Sequence, residues 1–99
     1  MAESTKGPYD RTIFYVSDGT GITAETFGHS LLSQFENLNL RQIRLPFIET
    51  LEKAEEALKR IRHQASVDGQ RPIVFSTLVN PEINQIVRQA EVMFIDLFA

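Results

Sequence analysis

The 99-residue chain contains no cysteine and no tryptophan. The first absence excludes disulfides, thiolate chemistry and any metal site built on sulfur; no metal is assigned to the chain. Basic residues are not in excess: 10 Lys and Arg stand against 13 Asp and Glu, for a net charge of −3. A nucleic-acid-binding domain usually shows a basic face, so no nucleic-acid partner is expected. No apolar run approaches the ~20 residues of a membrane span. The polar start, Met1 to Asp10 with Gly7-Pro8 inside it, lacks the apolar core of a signal peptide. A cytoplasmic location without membrane attachment is the expectation. What remains, 42% hydrophobic and 23% charged residues, is the composition of a globular domain with one modest core.

The apolar pattern alternates between short runs and helical stretches. Residues 1–10 read as a loose tail. Thr12 to Ser17 reads as a buried strand, β-branched and aromatic without alternation. A helix begins at Thr20 or Gly21 and continues past Leu32, with Ala24, Phe27, Leu31 and Phe35 as its expected apolar stripe. Gly28 inside that helix marks an expected close approach to the sheet. Leu40 to Leu45 is the second strand, closed by Pro46. Thr50 is the expected N-cap of a helix from Leu51 to about Ala65, buried through Leu51, Ala54, Leu58, Ile61 and Ala65, with Glu55–Lys59 and Glu56–Arg60 pairs on its wet side. After a turn at Asp68-Gly69 comes the third strand, Ile73 to Ser76. Asn80-Pro81-Glu82 opens a third helix with apolar positions Ile83, Ile86, Val87 and Ala90. Val92 to Phe98 reads as a fourth strand.

The order β-α-β-α-β-α-β predicts an α/β fold: a three-layer, Rossmann-like or flavodoxin-like parallel sheet with right-handed crossovers. Ala99 follows directly on an apolar strand, so residues 11–99 are expected to be an α/β domain cut from a longer protein. The uncovered last strand makes an oligomer one expectation.

The segment Ser17-Asp18-Gly19-Thr20-Gly21-Ile22-Thr23-Ala24-Glu25 joins the first strand to the first helix. A Gly-rich turn at that junction aims backbone N–H groups and a helix N-terminus at an anion. The candidate phosphate- or ligand-binding residues are therefore Ser17, Asp18, Gly19, Thr20, Gly21 and Thr23. Asp18 is also the one catalytic candidate, as a base or a hydroxyl-orienting group; its alternative is a turn former bonding a local N–H. Thr20 is either a phosphate ligand or the N-cap. Gly19 and Gly21 are expected to serve backbone shape whether or not anything binds.

Three families share such a turn. Gly19-Thr20-Gly21-Ile22-Thr23-Ala24 fits the dinucleotide pattern G-x-G-x-x-A, but Arg44 and Leu45 stand where that fold places its ribose-binding acid. Thr20-Gly21-Ile22-Thr23 resembles the turn that wraps the phosphate of flavin mononucleotide, although Thr77 to Asn80 supplies no aromatic wall. The third resemblance covers residues 11–98. Phe14 to Glu25, Gly28-His29, Ser33-Gln34-Phe35, Leu45 to Glu49, Arg71 to Ser76 and Pro81-Glu82-Ile83 resemble, in order, the N-terminal part of the phosphoenolpyruvate synthase and pyruvate, phosphate dikinase regulatory proteins.

That resemblance implies a bifunctional cytoplasmic enzyme. It phosphorylates a threonine of the target synthase or dikinase with ADP as donor, and it reverses the modification with inorganic phosphate, releasing pyrophosphate. ADP and phosphate binding are thus expected of the full-length protein, whose P-loop domain lies beyond residue 99; this chain has no G-x-x-x-x-G-K-[ST]. The 99 residues alone are expected to hold no cofactor and to act as a binding module, with the target enzyme or a phosphate-containing small molecule as partner.

Other polar residues carry local expectations. His29 reads as a partly buried structural histidine. His63 is placed near a helix C-terminus, where a cation is favoured. Arg41 and Arg44 read as a solvated edge or the rim of a phosphate site. Ser76 and Thr77 end a strand where ligands of open α/β sheets gather. Asp96, inside an apolar run, is either an acid aimed at that crevice or a paired edge residue.

Overall fold

A computed structural model describes residues 10–35 and 39–98. The elements are β1 (Arg11–Val16), α1 (Ile22–Leu32), β2 (Leu40–Leu45), α2 (Leu51–Asp68), β3 (Ile73–Ser76), α3 (Pro81–Arg88) and β4 (Met93–Asp96). All four strands run parallel, in the order β2-β1-β3-β4. The expected three-layer, Rossmann-like α/β arrangement is the one observed. Residues 1–9 of the expected tail lie outside the described residues. Among the described residues no helix is long and apolar enough to cross a membrane.

The chain moves from β1 to β2 in one direction and from β2 to β3 and β4 in the other. Right-handed crossovers in opposite directions put their helices on opposite faces. One face accordingly carries α2 and α3, packed on each other and on Phe14, Val16 and Val74, with Ala54, Leu58, Ile61, Ile83 and Val87 in the same cluster. Among the described residues the other carries α1 alone, over Ile13, Tyr15 and Phe75. Strand alternation sends neighbouring residues of β1 to opposite faces, both buried, which is why its sequence shows no polar alternation.

α1 differs from its expected stripe. Ala24 and Gly28 are its buried residues; Phe27 and Leu31 are exposed, as is Phe35 beyond the helix end. The reason is the close approach at Gly28, where a Cβ would overlap Cε1 of Tyr15. The Tyr15 ring stacks on Phe75 at 5.8 Å, and its hydroxyl donates to Oε1 of Gln42 at 2.6 Å. Burial, helped by the Glu25 charge, pushes the Tyr15 phenol up to about 12, so it stays protonated.

Other boundaries shift by a few residues. α2 continues to Asp68 because its interior holds no breaker; Gly69 ends it in a left-handed conformation, its N–H donating to the Ala65 carbonyl. His63 consequently sits more than a turn from the helix end. Leu51 is exposed and Ala65 only half-buried, while Ala57 joins the buried side. Neither expected Glu–Lys or Glu–Arg pair on α2 closes as an ion pair among the described residues. His29 is exposed rather than partly buried, with its ring edge-on to Tyr15 at 6.1 Å. β4 is shorter than the apolar run that announced it.

Candidate functional site

The loops after β1, β2 and β3 meet at one end of the sheet. β1 is where the strand order reverses, the position at which open α/β sheets form a crevice. Backbone bonds fasten these loops together. Phe47 N–H donates to the Gly19 carbonyl at 2.7 Å, Ile48 N–H to the Ser17 carbonyl at 2.9 Å, and Thr77 N–H to the Val16 carbonyl at 3.0 Å. Phe47 takes φ 58°, a left-handed conformation uncommon for a bulky residue, and its bond to Gly19 helps hold it there.

Within the β1–α1 turn, the Ser17 hydroxyl is buried and accepts the Gly19 N–H at 3.0 Å. Gly19 needs neither a positive φ nor empty space: a Cβ there would meet only Ser17 Oγ, at 3.9 Å. The expected backbone requirement therefore falls on Gly21, the N-cap residue, at φ 87°. A Cβ on Gly21 would lie 2.8 Å from Cγ and Cδ of Arg44, whose stem covers it. The Arg44 guanidinium reaches the Glu25 carboxylate at 3.7 Å.

Among the described residues no side chain caps α1. The Thr20 hydroxyl accepts the Ile22 N–H only at a long 3.4 Å. Among the described residues, the amides of Thr20, Gly21, Thr23 and Ala24 donate to no protein acceptor. The bend thus keeps several N–H groups unused at the positive end of the helix.

The predicted residues do not all face one space. Asp18 lines a crevice of about 300 Å³ with Ile48, Glu49, Leu78, Asn80 and Ile83. Thr23 lies instead in a groove along the outer side of α1, beside Ile22, Thr26, Phe27 and Ser30. Thr20 is exposed between them. Glu49 and Asn80 are the crevice residues that motif reading passes over. Their signal lies in the parallel pairing of β1 with β2 and β3, which brings the three following loops side by side.

Ser76 and Asp96 serve the framework. The Ser76 hydroxyl donates to Asn84 Oδ1 at 3.2 Å and accepts the Leu78 N–H at 3.1 Å. Asp96 accepts from Asn84 Nδ2 at 2.7 Å, from Arg88 at 3.3 Å and from the Phe98 N–H at 3.0 Å. Burial alone would raise the Asp96 carboxyl, but the Phe98 amide, Asn84 and Arg88 together hold it below the usual carboxylate range. Asp96 is therefore a paired acid joining β4 to α3. Arg88 also lies over the Phe94 ring, 4.5 Å from its centre.

A family model described as kinase/pyrophosphorylase matches residues 13–99. Similar curated proteins are named "Putative phosphoenolpyruvate synthase regulatory protein". One from Herminiimonas arsenicoxydans is 59% identical over 90 residues, 91% of this chain and 32% of the relative. One from Bordetella pertussis is 57% identical over 94 residues, 95% of this chain and 34% of the relative. One from Janthinobacterium sp. (strain Marseille) is 61% identical over 87 residues, 88% of this chain and 30% of the relative. The chain spans about a third of the length of the curated relatives it matches.

Proposed function

The chain belongs to the kinase/pyrophosphorylase family, and from that premise we propose that it forms the N-terminal α/β part of a cytoplasmic enzyme regulating phosphoenolpyruvate synthase or pyruvate, phosphate dikinase. The enzyme phosphorylates a threonine of its target with ADP as donor and removes the phosphate with inorganic phosphate, releasing pyrophosphate. The observation that carries this reading is the family match across residues 13–99, joined to relatives at 57–61% identity named as regulators of the synthase.

Within the enzyme, this part binds and the rest of the chain supplies nucleotide chemistry. The unused amides at Thr20, Gly21 and Thr23 are a seat for phosphate oxygens. Charge limits what that seat does alone. Asp18 and Glu49 line the adjoining crevice, and Arg44, the cation lying over Gly21, is engaged by Glu25. With Asp18 in the same turn and a net charge of −3 on the 99 residues, the isolated part binds phosphate weakly. In this proposal Asp18, which lines the crevice, is the group that orients a hydroxyl.

Two measurements test the reading. Full-length protein incubated with ADP and the dikinase or synthase should transfer phosphate to a threonine, and residues 1–99 alone should not. Phosphorylation by the 99 residues alone would place the chemistry wrongly, and failure of the full-length protein on both targets would overturn the assignment. Titration with phosphate, pyrophosphate and ADP should move the amide resonances of Thr20 to Thr23; unchanged resonances would remove the phosphate seat. A yellow purified chain carrying flavin would replace the proposal by the flavodoxin-like alternative.

A further inference from the structure

We infer that the α1 face of the sheet is an internal docking surface, covered in the full-length family protein by an apolar segment from the two-thirds of the chain beyond these residues. Beyond the geometry, the assignment rests on family membership and not on the kinase chemistry.

Parallel sheets are covered on both faces because their strands are apolar on both. Here the two faces are covered unequally. α2 and α3 together bury a broad cluster, whereas among the described residues α1 is the single helix on the other face and packs over β1 and β3. Among the described residues the strip over β4 is left open: Met93 is 54% exposed, and Ile95, with Leu97 just past the strand end, is only half-buried on the same side. α1 borders that strip with apolar side chains. Glu25 reaches β2 through Arg44, which fixes the flank of α1 turned toward β2. By the helical repeat, Phe27 and Leu31 project from the other flank, toward β3 and β4, and are 57% and 44% exposed. Exposed apolar side chains of α1 (Phe27, Leu31) and of the β4 strip (Met93, with Ile95 and Leu97 half-buried) thus share one face of the sheet, and the space between them is the trough. A patch of this kind on a monomer marks a contact surface.

Topology restricts what fills it. A further strand added outside β4 by a right-handed crossover would bring its helix to the α2–α3 face. Simple continuation of the fold therefore leaves the trough open, and its cover must be a segment that returns across the sheet. Such chain is available: the relatives are about three times as long as the part this chain matches. Both sides of the trough lie inside residues 13–99, the part matched by the family model.

The absence of cysteine makes the test direct, because one introduced thiol is a unique probe. Phe27→Cys and Leu31→Cys are made in the 99-residue chain, and again in that chain grafted in place of the matching third of a cysteine-free Herminiimonas arsenicoxydans relative. Val67→Cys, at an exposed position of α2, is the control. Maleimide labelling at Phe27→Cys and Leu31→Cys should be about tenfold slower in the graft, with the control unchanged. Equal labelling in both overturns the assignment. So does protection already present in the 99-residue chain that grows with concentration, which would make a second copy the occupant. For a graft that does not fold, hydrogen exchange supplies the second measurement: the α1 peptide of the intact relative should exchange about tenfold more slowly than in its isolated matching third, and equal exchange overturns the assignment.

Discussion

α1 and α3 both follow a strand of the same parallel sheet, yet they are attached in opposite ways. α3 is closed at its start and anchored by bulk. Asn80 accepts the N–H groups of Glu82 at 2.9 Å and Ile83 at 3.4 Å, Pro81 has no N–H to leave over, and Ile83 and Val87 fill the core. α1 is open at its start and anchored by the lack of bulk. Gly21 offers no side-chain acceptor, and Ala24 and Gly28 let the helix lie against Tyr15 and Phe75. One helix is completed by its own residues. The other keeps unused donors at its end and apolar side chains on its flank, which are the two features that a ligand or a further piece of protein can satisfy.

The largest expected effect lies on the closed helix. Ile83→Ala removes a nearly buried side chain from the larger cluster. It should cost about 3 kcal/mol and lower the melting temperature by roughly 15 °C. Phe27→Ala on α1, by contrast, should change the stability of the 99 residues by about 0.5 kcal/mol or less, since its ring is mostly exposed. Equal losses in thermal unfolding would mean that α1 is held by its large side chains after all.

Gly28→Ala comes next and probes the other mode of attachment. Alanine is the better helix former by about 1 kcal/mol. At this position its methyl group overlaps Tyr15, whose ring is stacked on Phe75 and tied to Gln42. Overpacking of that kind costs about 1–3 kcal/mol, so a net loss of about 1–2 kcal/mol is expected in denaturant unfolding. A gain in stability would show that the ring yields and that the close approach is not what seats α1.

Asp96 ties α3 to β4 and adds a pH dependence confined to the closed side. Its carboxyl is lowered in the folded protein, so the folded state binds that proton less readily than the unfolded one. The resulting stability is present above the usual carboxylate range and is lost as pH falls through the lower folded value. Asp96→Asn should cost about 1–2 kcal/mol at neutral pH and flatten the acid limb of the stability curve. An unchanged acid limb would assign acid sensitivity to other carboxylates.

The same contrast explains what could be read from the amino acids. Element order, sheet type and the starts of α2 and α3 were legible because each rests on local chemistry: apolar runs, Thr50, and Asn80-Pro81. The outward turn of Phe27 and Leu31 was not, because helical periodicity identifies apolar side chains but not the partner that covers them. Gly28 carried the better signal, since a glycine inside a helix marks contact rather than flexibility. At the crevice, the glycine turn was legible and Glu49 was not. Its place beside Asp18 depends on β2 pairing with β1 and on the left-handed Phe47, both tertiary facts. The role of Asp96 needed Asn84 and Arg88, which reach it from the preceding helix.

The smallest expected effect decides whether α1 is open at all. Asn80→Ala removes a cap that serves two amides and should cost about 1 kcal/mol. Thr20→Ala removes only a 3.4 Å contact from an exposed hydroxyl to Ile22 N–H, and water can take its place. A loss of a few tenths of a kcal/mol is expected. The comparison is made by chemical denaturation of both variants in one buffer free of phosphate and sulfate, since either anion would stabilise an open helix end and blur the difference. If Thr20→Ala costs as much as Asn80→Ala, Thr20 is a true cap and the amides at the bend are already served by the protein. If it costs almost nothing, and if added phosphate raises the stability of the parent chain more than that of a Gly21→Ala variant, the unused donors belong to a seat for anionic oxygen. Gly21→Ala suits this role because it strains a φ of 87° and pushes on Arg44, disturbing the bend while leaving the α3 cap untouched.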